Sequence, residues 1–180
     1  QILALVSAAW LIIPAVSAIP YLAYGFAPID AFFESLSGWT STGLSAIPTL
    51  SGLPASLILY RSVTQWVGGL GIVILMLTVM KGREAKHFLK AEGRTSQEVG
   101  ISKTAGSIWG TYLMLTILGF VLLMALGIDP LNSINLTFSG VSNGGFFPFD
   151  SYEFDSAQKF ALAGIMFCGA TSFIFYRKLA

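Results

Sequence analysis

The chain has 180 residues, 54% of them hydrophobic and 11% charged, with a formal net charge of +1 and a mean hydropathy of +0.74. A soluble domain carries about 25% charged residues, so this composition reads as an integral membrane protein. So small a net charge argues against a nucleic-acid partner, which needs a clustered basic surface. One cysteine and one histidine leave no internal disulfide, no transition-metal cluster and no Ser/His/Asp set, so no enzyme is expected.

Ile2 to about Tyr24 is an apolar run without a charge, lacking the basic leader and cleavage site of a signal peptide, and reads as a first membrane helix bent or shortened by Pro14 and Pro20. The chain begins inside this run without an initiator Met, so it reads as a fragment. Pro28 to about Trp39 is a second, short helix, too short to span a bilayer, with Pro28 in its first turn. It runs into Thr40-Ser41-Thr42-Gly43, which must leave the helix. Extended backbone at membrane depth is tolerated only where it is packed in protein or lines a water-filled cavity. A half-helix with its partly negative C-terminal end in the membrane, followed by a climbing strand of carbonyls, is a cation site.

A second crossing is expected from about Ala55 to Met80, carrying Arg61, Gln65 and Gly68-Gly69-Leu70-Gly71. Its glycines read as close helix packing rather than a gate, and no strand precedes them to make a dinucleotide fingerprint. An ionisable residue here needs a partner; Glu34 is the candidate for a bracing ion pair with Arg61, the alternative being that Arg61 snorkels to the outer interface.

Residues 81–103 hold Lys81, Arg83, Lys86, Lys90, Arg94 and Lys103 against three glutamates, and are cytoplasmic by the positive-inside rule. Arg177 and Lys178 fall on the same side if four helices span, leaving Asp30, Glu34, Asp129, Asp150, Glu153 and Asp155 outside. Those carboxylates either concentrate cations at a mouth or belong to ordinary solvated loops. A third crossing runs from about Thr104 to Ile128. Asp129-Pro130 then starts a second short element, Leu131 to about Val141, and a fourth crossing spans about Ala157 to Tyr176. Cys168 in that last run reads as buried packing, and the Asn135-Leu136-Thr137 sequon, inside the short helix, as chance.

The two halves repeat. Shifted by 102 residues, Pro28 falls on Pro130, Ser37 on Ser139, Gly38 on Gly140 and Gly43 on Gly145, aligning Thr40-Ser41-Thr42-Gly43 with Ser142-Asn143-Gly144-Gly145. The expected fold is an all-α integral membrane protein of two tandem helix, re-entrant pore helix with filter, helix repeats: 1–80, a basic linker 81–103, and 104–180. That gives four spanning helices, two short pore helices and pore loops facing outside. Two re-entrant elements on one side suggest a pore.

Phe33-Glu34-Ser35-Leu36-Ser37-Gly38-Trp39-Thr40-Ser41-Thr42-Gly43, Tyr60-Arg61-Ser62-Val63-Thr64-Gln65-Trp66-Val67-Gly68-Gly69-Leu70-Gly71-Ile72 and Ser142-Asn143-Gly144-Gly145-Phe146 resemble the Trk/Ktr/HKT superfamily of potassium transporters, specifically the first two of four channel-like units in a TrkH-like subunit. The resemblance implies that backbone carbonyls of Thr40, Ser41, Thr42, Gly43, Ser142, Asn143, Gly144 and Gly145 replace water around K⁺, with Gly43 favouring K⁺ over Na⁺. It further implies a plasma-membrane potassium uptake system with no bound cofactor, a homodimer, and a separate cytosolic nucleotide-binding regulatory subunit; loop 81–103 could contact that subunit, the favoured alternative being an ordinary solvated loop. The family's third and fourth units, with the loop that obstructs the pore, are not in this sequence. Two other readings are a non-conducting structural or assembly subunit, and a Na⁺- or H⁺-coupled carrier; the latter usually has inverted repeats, whereas these run in the same order.

Overall fold

The computed structural model describes residues 2–79, 101–171 and 176. Most of the basic stretch 81–103, and Arg177 and Lys178, lie outside them. Among the described residues the fold is helical, without strands: α1 (Ile2–Ser17), α2 (Ile19–Ala23), α3 (Pro28–Trp39), α4 (Ala55–Val79), α5 (Ile101–Ala125), α6 (Pro130–Ser142) and α7 (Ser156–Ala170). The first apolar run is two helices rather than one. They divide at Ala18, and Pro20, which lacks a backbone donor, sits in the first turn of α2.

α4 packs against α3 and α6, and α6 also lies against α5 and α7. Trp66 of α4 is the anchor between the halves. Its ring lies 5.3 Å from Tyr112 and 5.1 Å from Phe138, its indole N–H donates to Thr116 Oγ1 at 3.0 Å, and its carbonyl accepts from the Tyr112 hydroxyl at 2.9 Å.

Backbone geometry recurs along the chain with the spacing of the sequence repeat. Gly25 and Gly127 take φ of 82° and 83°, Ser41 and Asn143 of 50° and 53°, and Gly43 and Gly145 of 75° and 86°. The last helices start at Ala55 and Ser156, one residue short of the earlier spacing. In that register Gly68 and Gly169 correspond, and both press on the same place: an added Cβ would strike the carbonyl of Trp39 or of Val141.

Polarity is inverted relative to a water-soluble bundle. Glu34, Ser35, Arg61, Ser62, Thr64, Gln65, Ser133, Asn135 and Thr137 are buried, while Leu11, Ile12, Val16, Ile117, Leu118, Val121, Phe160 and Phe167 are each more than half exposed. Polar groups inside and large apolar side chains outside suit a lipid surround. By length and composition alone, one helix among the described residues, Ile108–Ala125, is long and apolar enough to cross a membrane, and Ser7–Ala23 is a shorter apolar stretch. Of the other expected crossings, the first is divided at Ala18, α4 carries Arg61, Thr64 and Gln65, and α7 has 15 residues before Thr171 turns extended.

Gly68→Ala and Gly169→Ala should each destabilise the intact protein by about 1–3 kcal/mol, the usual cost of overpacking. Gly71→Ala, with nothing within 4 Å of its added Cβ, should be neutral. Thermal unfolding in detergent of the three variants checks this.

Candidate functional site

The site is built from the C-terminal ends of α3 and α6. Each ends with a residue in the left-handed region, Ser41 or Asn143, closed by the paired bonds of a Schellman turn. Ser41 N–H donates to Gly38 O at 2.9 Å and Thr42 N–H to Ser37 O at 3.0 Å; Asn143 N–H donates to Gly140 O at 3.2 Å and Gly144 N–H to Ser139 O at 3.0 Å. Glycine follows two positions later, at the second positive φ of each turn, which only glycine takes without steric penalty. The Thr40 hydroxyl returns to Leu36 O at 2.8 Å and lies 2.7 Å from the Thr42 hydroxyl, tightening the first turn.

The two turns meet. Gly43 packs so closely on Gly144 that a Cβ on Gly43 would overlap the Gly144 carbonyl, and Gly69 of α4 lies beneath both turns, an added Cβ being 2.9 Å from Ser142 Cβ and 3.1 Å from Ser41 Oγ. Among the described residues no hydrogen bond ends on the carbonyl oxygens of Thr40, Ser41, Thr42, Gly43, Ser142, Asn143, Gly144 or Gly145. The structure thus brings the eight expected residues into two adjoining turns at negative helix ends, with their carbonyls unpaired. Such a surface can coordinate a cation. No group of three or more His, Cys, Asp or Glu that could hold a metal ion occurs among the described residues.

Behind the first turn, Glu34 and Arg61 form a buried ion pair, with Arg61 Nε 3.1 Å from Glu34 Oε2. Glu34 Oε1 also accepts from the Ser45 hydroxyl at 2.6 Å, Ala46 N–H at 2.5 Å and Ile47 N–H at 3.3 Å. The carboxylate therefore holds the segment leaving the turn. The Arg61 guanidinium lies 4.2 Å above the Phe146 ring, joining the pair to the segment leaving the second turn. At the corresponding places in the second half stand Leu136 and Leu162, both part of the apolar core.

Two contributors have no obvious sequence signal because their partners are remote. Gln65 Oε1 accepts from Phe146 N–H at 3.1 Å, while the Gln65 carbonyl accepts from the Ser41 hydroxyl at 2.9 Å. Asp150 clasps the loop beyond the first turn, accepting from the Thr49 hydroxyl at 2.6 Å, Leu50 N–H at 2.7 Å, Ser51 N–H at 3.3 Å and the Ser51 hydroxyl at 3.1 Å. These bonds, that from Thr49 foremost, hold its pKa below the usual aspartate value. The advance hints of Gln65 are its place in the Tyr60–Ile72 stretch and its position one helical turn after Arg61, on the same face of α4.

Glu34→Gln or Arg61→Met alone should cost about 3–5 kcal/mol, because each leaves a buried charge unpaired. The double variant Glu34→Leu/Arg61→Leu, which copies the second half, should recover more than half of that loss in a thermal unfolding cycle. Asp150 has a depressed pKa, so its contribution is present above the unfolded aspartate value of about 3.9 and lost as pH falls through the lowered folded value. Hydrogen exchange at residues 49–51 should therefore be constant from neutral pH down to about pH 5, after allowance for intrinsic rates. In Asp150→Asn, which gives up the charge-assisted bonds, it should be faster throughout that range.

Residues 4–180 match the family model of TrkH, described as a cation transport protein. Among curated proteins, an uncharacterized cation transporter of Methanocaldococcus jannaschii is 37% identical over 181 residues, covering 95% of this chain and 38% of that protein. The Trk system potassium uptake protein TrkH of Escherichia coli K12 is 31% identical over 153 residues, covering 79% of this chain and 32% of that protein. The crystal structure of the potassium transporter TrkH from Vibrio parahaemolyticus superposes with a TM-score of 0.78 at 29% identity, covering 93% of this chain and 35% of that one. The chain thus spans between 32% and 38% of the length of these curated relatives. With nearly its whole length matched, at a fold-level superposition and an identity above that of chance similarity, it belongs to the TrkH family of cation transport proteins.

Proposed function

We propose that this chain forms part of the cation path of a potassium uptake system in the plasma membrane, passing K⁺ in preference to Na⁺ down its electrochemical gradient through a filter of backbone carbonyls. The observation that carries the reading is the pair of adjoining turns at the ends of α3 and α6, whose carbonyls accept no hydrogen bond within the described residues. A ring of carbonyl dipoles coordinates an alkali cation without fixed charge, and two helix C-termini add negative potential at the same place. The names of the relatives, potassium uptake and potassium transport proteins, support the same cargo. Thr40, Ser41, Thr42 and Gly43 supply one arc of ligands, and Ser142, Asn143, Gly144 and Gly145 the next.

On this reading α3 and α6 are re-entrant pore helices. The chain divides into a first unit, 1–80, a basic cytoplasmic linker, 81–103, and a second unit, 104–180, with four crossings and with the turns facing outside. Two arcs enclose half a ring, so the path is completed by further units of the same kind. The reading extends to a homodimer and to a cytosolic nucleotide-binding regulatory subunit as partners, and to transport without catalysis. The positive-φ positions recur in the same order in both halves, which favours a channel-like path over a carrier of inverted repeats.

Gly43→Ser tests the filter. Its Cβ would overlap the Gly144 carbonyl, so in vesicles bearing the intact protein the preference for K⁺ over Na⁺ as competitor of Rb⁺ uptake should fall at least about tenfold, the equivalent of roughly 1.4 kcal/mol at the site. Rb⁺ flux indifferent to this substitution would move the selectivity elsewhere and favour a structural role for the turns.

A further inference from the structure

Gln65 touches both halves of the proposed filter from behind, with its backbone carbonyl on the first and its side chain on the second. It is completely buried, on α4. Three contacts converge on it. Its backbone carbonyl holds the Ser41 hydroxyl of the first turn at 2.9 Å. Its side-chain oxygen holds Phe146 N–H, immediately past the second turn, at 3.1 Å. Gly144 lies directly on its amide, leaving no room there for a Cβ. Gly144 in turn presents its carbonyl to Gly43, so a continuous line of packed groups runs from Gln65 through the second turn to the glycine of the first.

The second half has no equivalent brace. In the register that matches Gly68 to Gly169, Gln65 corresponds to Met166, which is exposed and offers no accepting amide oxygen. The side-chain Nε2 of Gln65 is buried without a hydrogen-bond partner, a cost that an apolar residue of the same shape would avoid. The amide is therefore not explained by packing alone, whereas its oxygen is explained by the Phe146 amide, which would otherwise be buried and unpaired.

We propose that Gln65 is a positioning residue that fixes the distance between the two carbonyl turns and so sets which cation size they accept. This rests on the reading of the turns as a cation filter. A pair of turns held rigidly by one amide keeps its ligands at a K⁺ spacing; released from it, the second turn relaxes toward or away from the first, and a smaller ion is no longer penalised.

The test compares Gln65→Met, which copies the second half and removes the acceptor, with Gln65→Glu, which keeps an acceptor for Phe146 N–H in the same shape. The intact protein in vesicles is assayed for Rb⁺ uptake with K⁺ or Na⁺ as competitor, and hydrogen exchange is followed at residues 40–43 and 142–146. Gln65→Met should lose about tenfold in K⁺-over-Na⁺ preference, in keeping with one unpaired buried amide, and should exchange faster in both turns. Gln65→Glu should stay within about threefold of the parent in preference and exchange. A parent-like preference in Gln65→Met, or faster exchange confined to 142–146, would overturn the coupling. If the parent protein itself passes no Rb⁺, the transport reading fails, and exchange in the first turn decides the coupling on its own. Should Gln65→Met fail to fold, Ser41→Ala, which cuts the other bond to Gln65, should quicken exchange in 142–146, and unchanged exchange there would equally overturn it.

Discussion

Everything near the two turns depends on how closely α4 approaches the ends of the short helices. Gly68 lies against the Trp39 carbonyl and Gly69 beneath Ser41 and Ser142. A larger residue at either position would push α3 away from α4, and with it the Schellman turn that carries Ser41. Small residues on a membrane helix serve this purpose generally, since without a hydrophobic drive helices associate by close backbone packing. In this protein the approach has a further effect. With the turns pressed against glycines on one side and against each other on the opposite one, neighbouring side chains are kept from capping the carbonyls, which accept no hydrogen bond among the described residues. Gly169 makes the same approach to Val141, so the constraint belongs to the repeat and not to one helix pair.

The two halves solve the same backbone problem with different chemistry. In the first, a buried ion pair steadies the segment beyond the turn, through three donors to Glu34 Oε1. In the second, leucines occupy the corresponding places, and Gly145 N–H is instead held by the Ser139 hydroxyl at 3.0 Å. Ser37, the counterpart of Ser139, is buried with its hydroxyl unpartnered. Besides the bonds to Gln65, the first half thus anchors its turn by a charged pair and the second by a serine. A buried ion pair contributes little net stability over an apolar substitute. What distinguishes the pair here is its reach: it engages Ser45, Ala46 and Ile47 on one side and the Phe146 ring on the other, linking chain segments that two leucines could pack against but not orient.

Local features of the site were legible in the sequence because they follow from single residues. Pro28 and Pro130 mark the starts of the short helices, Gly43 and Gly145 the positive φ that follows them, and the shift of 102 residues aligns the two turns. The scarcity of charge makes Glu34 and Arg61 natural partners, and they are found paired at 3.1 Å. Remote partnerships left no such trace. Asp150 reads as one solvated acid among six, yet it holds three successive residues of a loop a hundred positions earlier in the chain. Gln65 reads as a polar residue on a crossing, and its meaning depends on an amide 81 residues away. Asn143 is another case: its left-handed backbone at the end of α6 is one that asparagine tolerates but does not demand.

α4 and α5 differ in where their polar residues lie. α5, which holds up the second half without lining the turns, is the helix whose described residues pass the test of length and apolarity. The inner face of α4 carries Arg61, Thr64 and Gln65, within one turn of one another and all buried. Those residues are hidden from the surround by α3 and α6, against which α4 packs, so their polarity is paid for by hydrogen bonds and an ion pair inside the protein rather than by contact with water. A helix that serves a polar site must carry the groups that organise it. In a protein with its polarity turned inward, the helix closest to the site carries its polar groups on the face turned to α3 and α6.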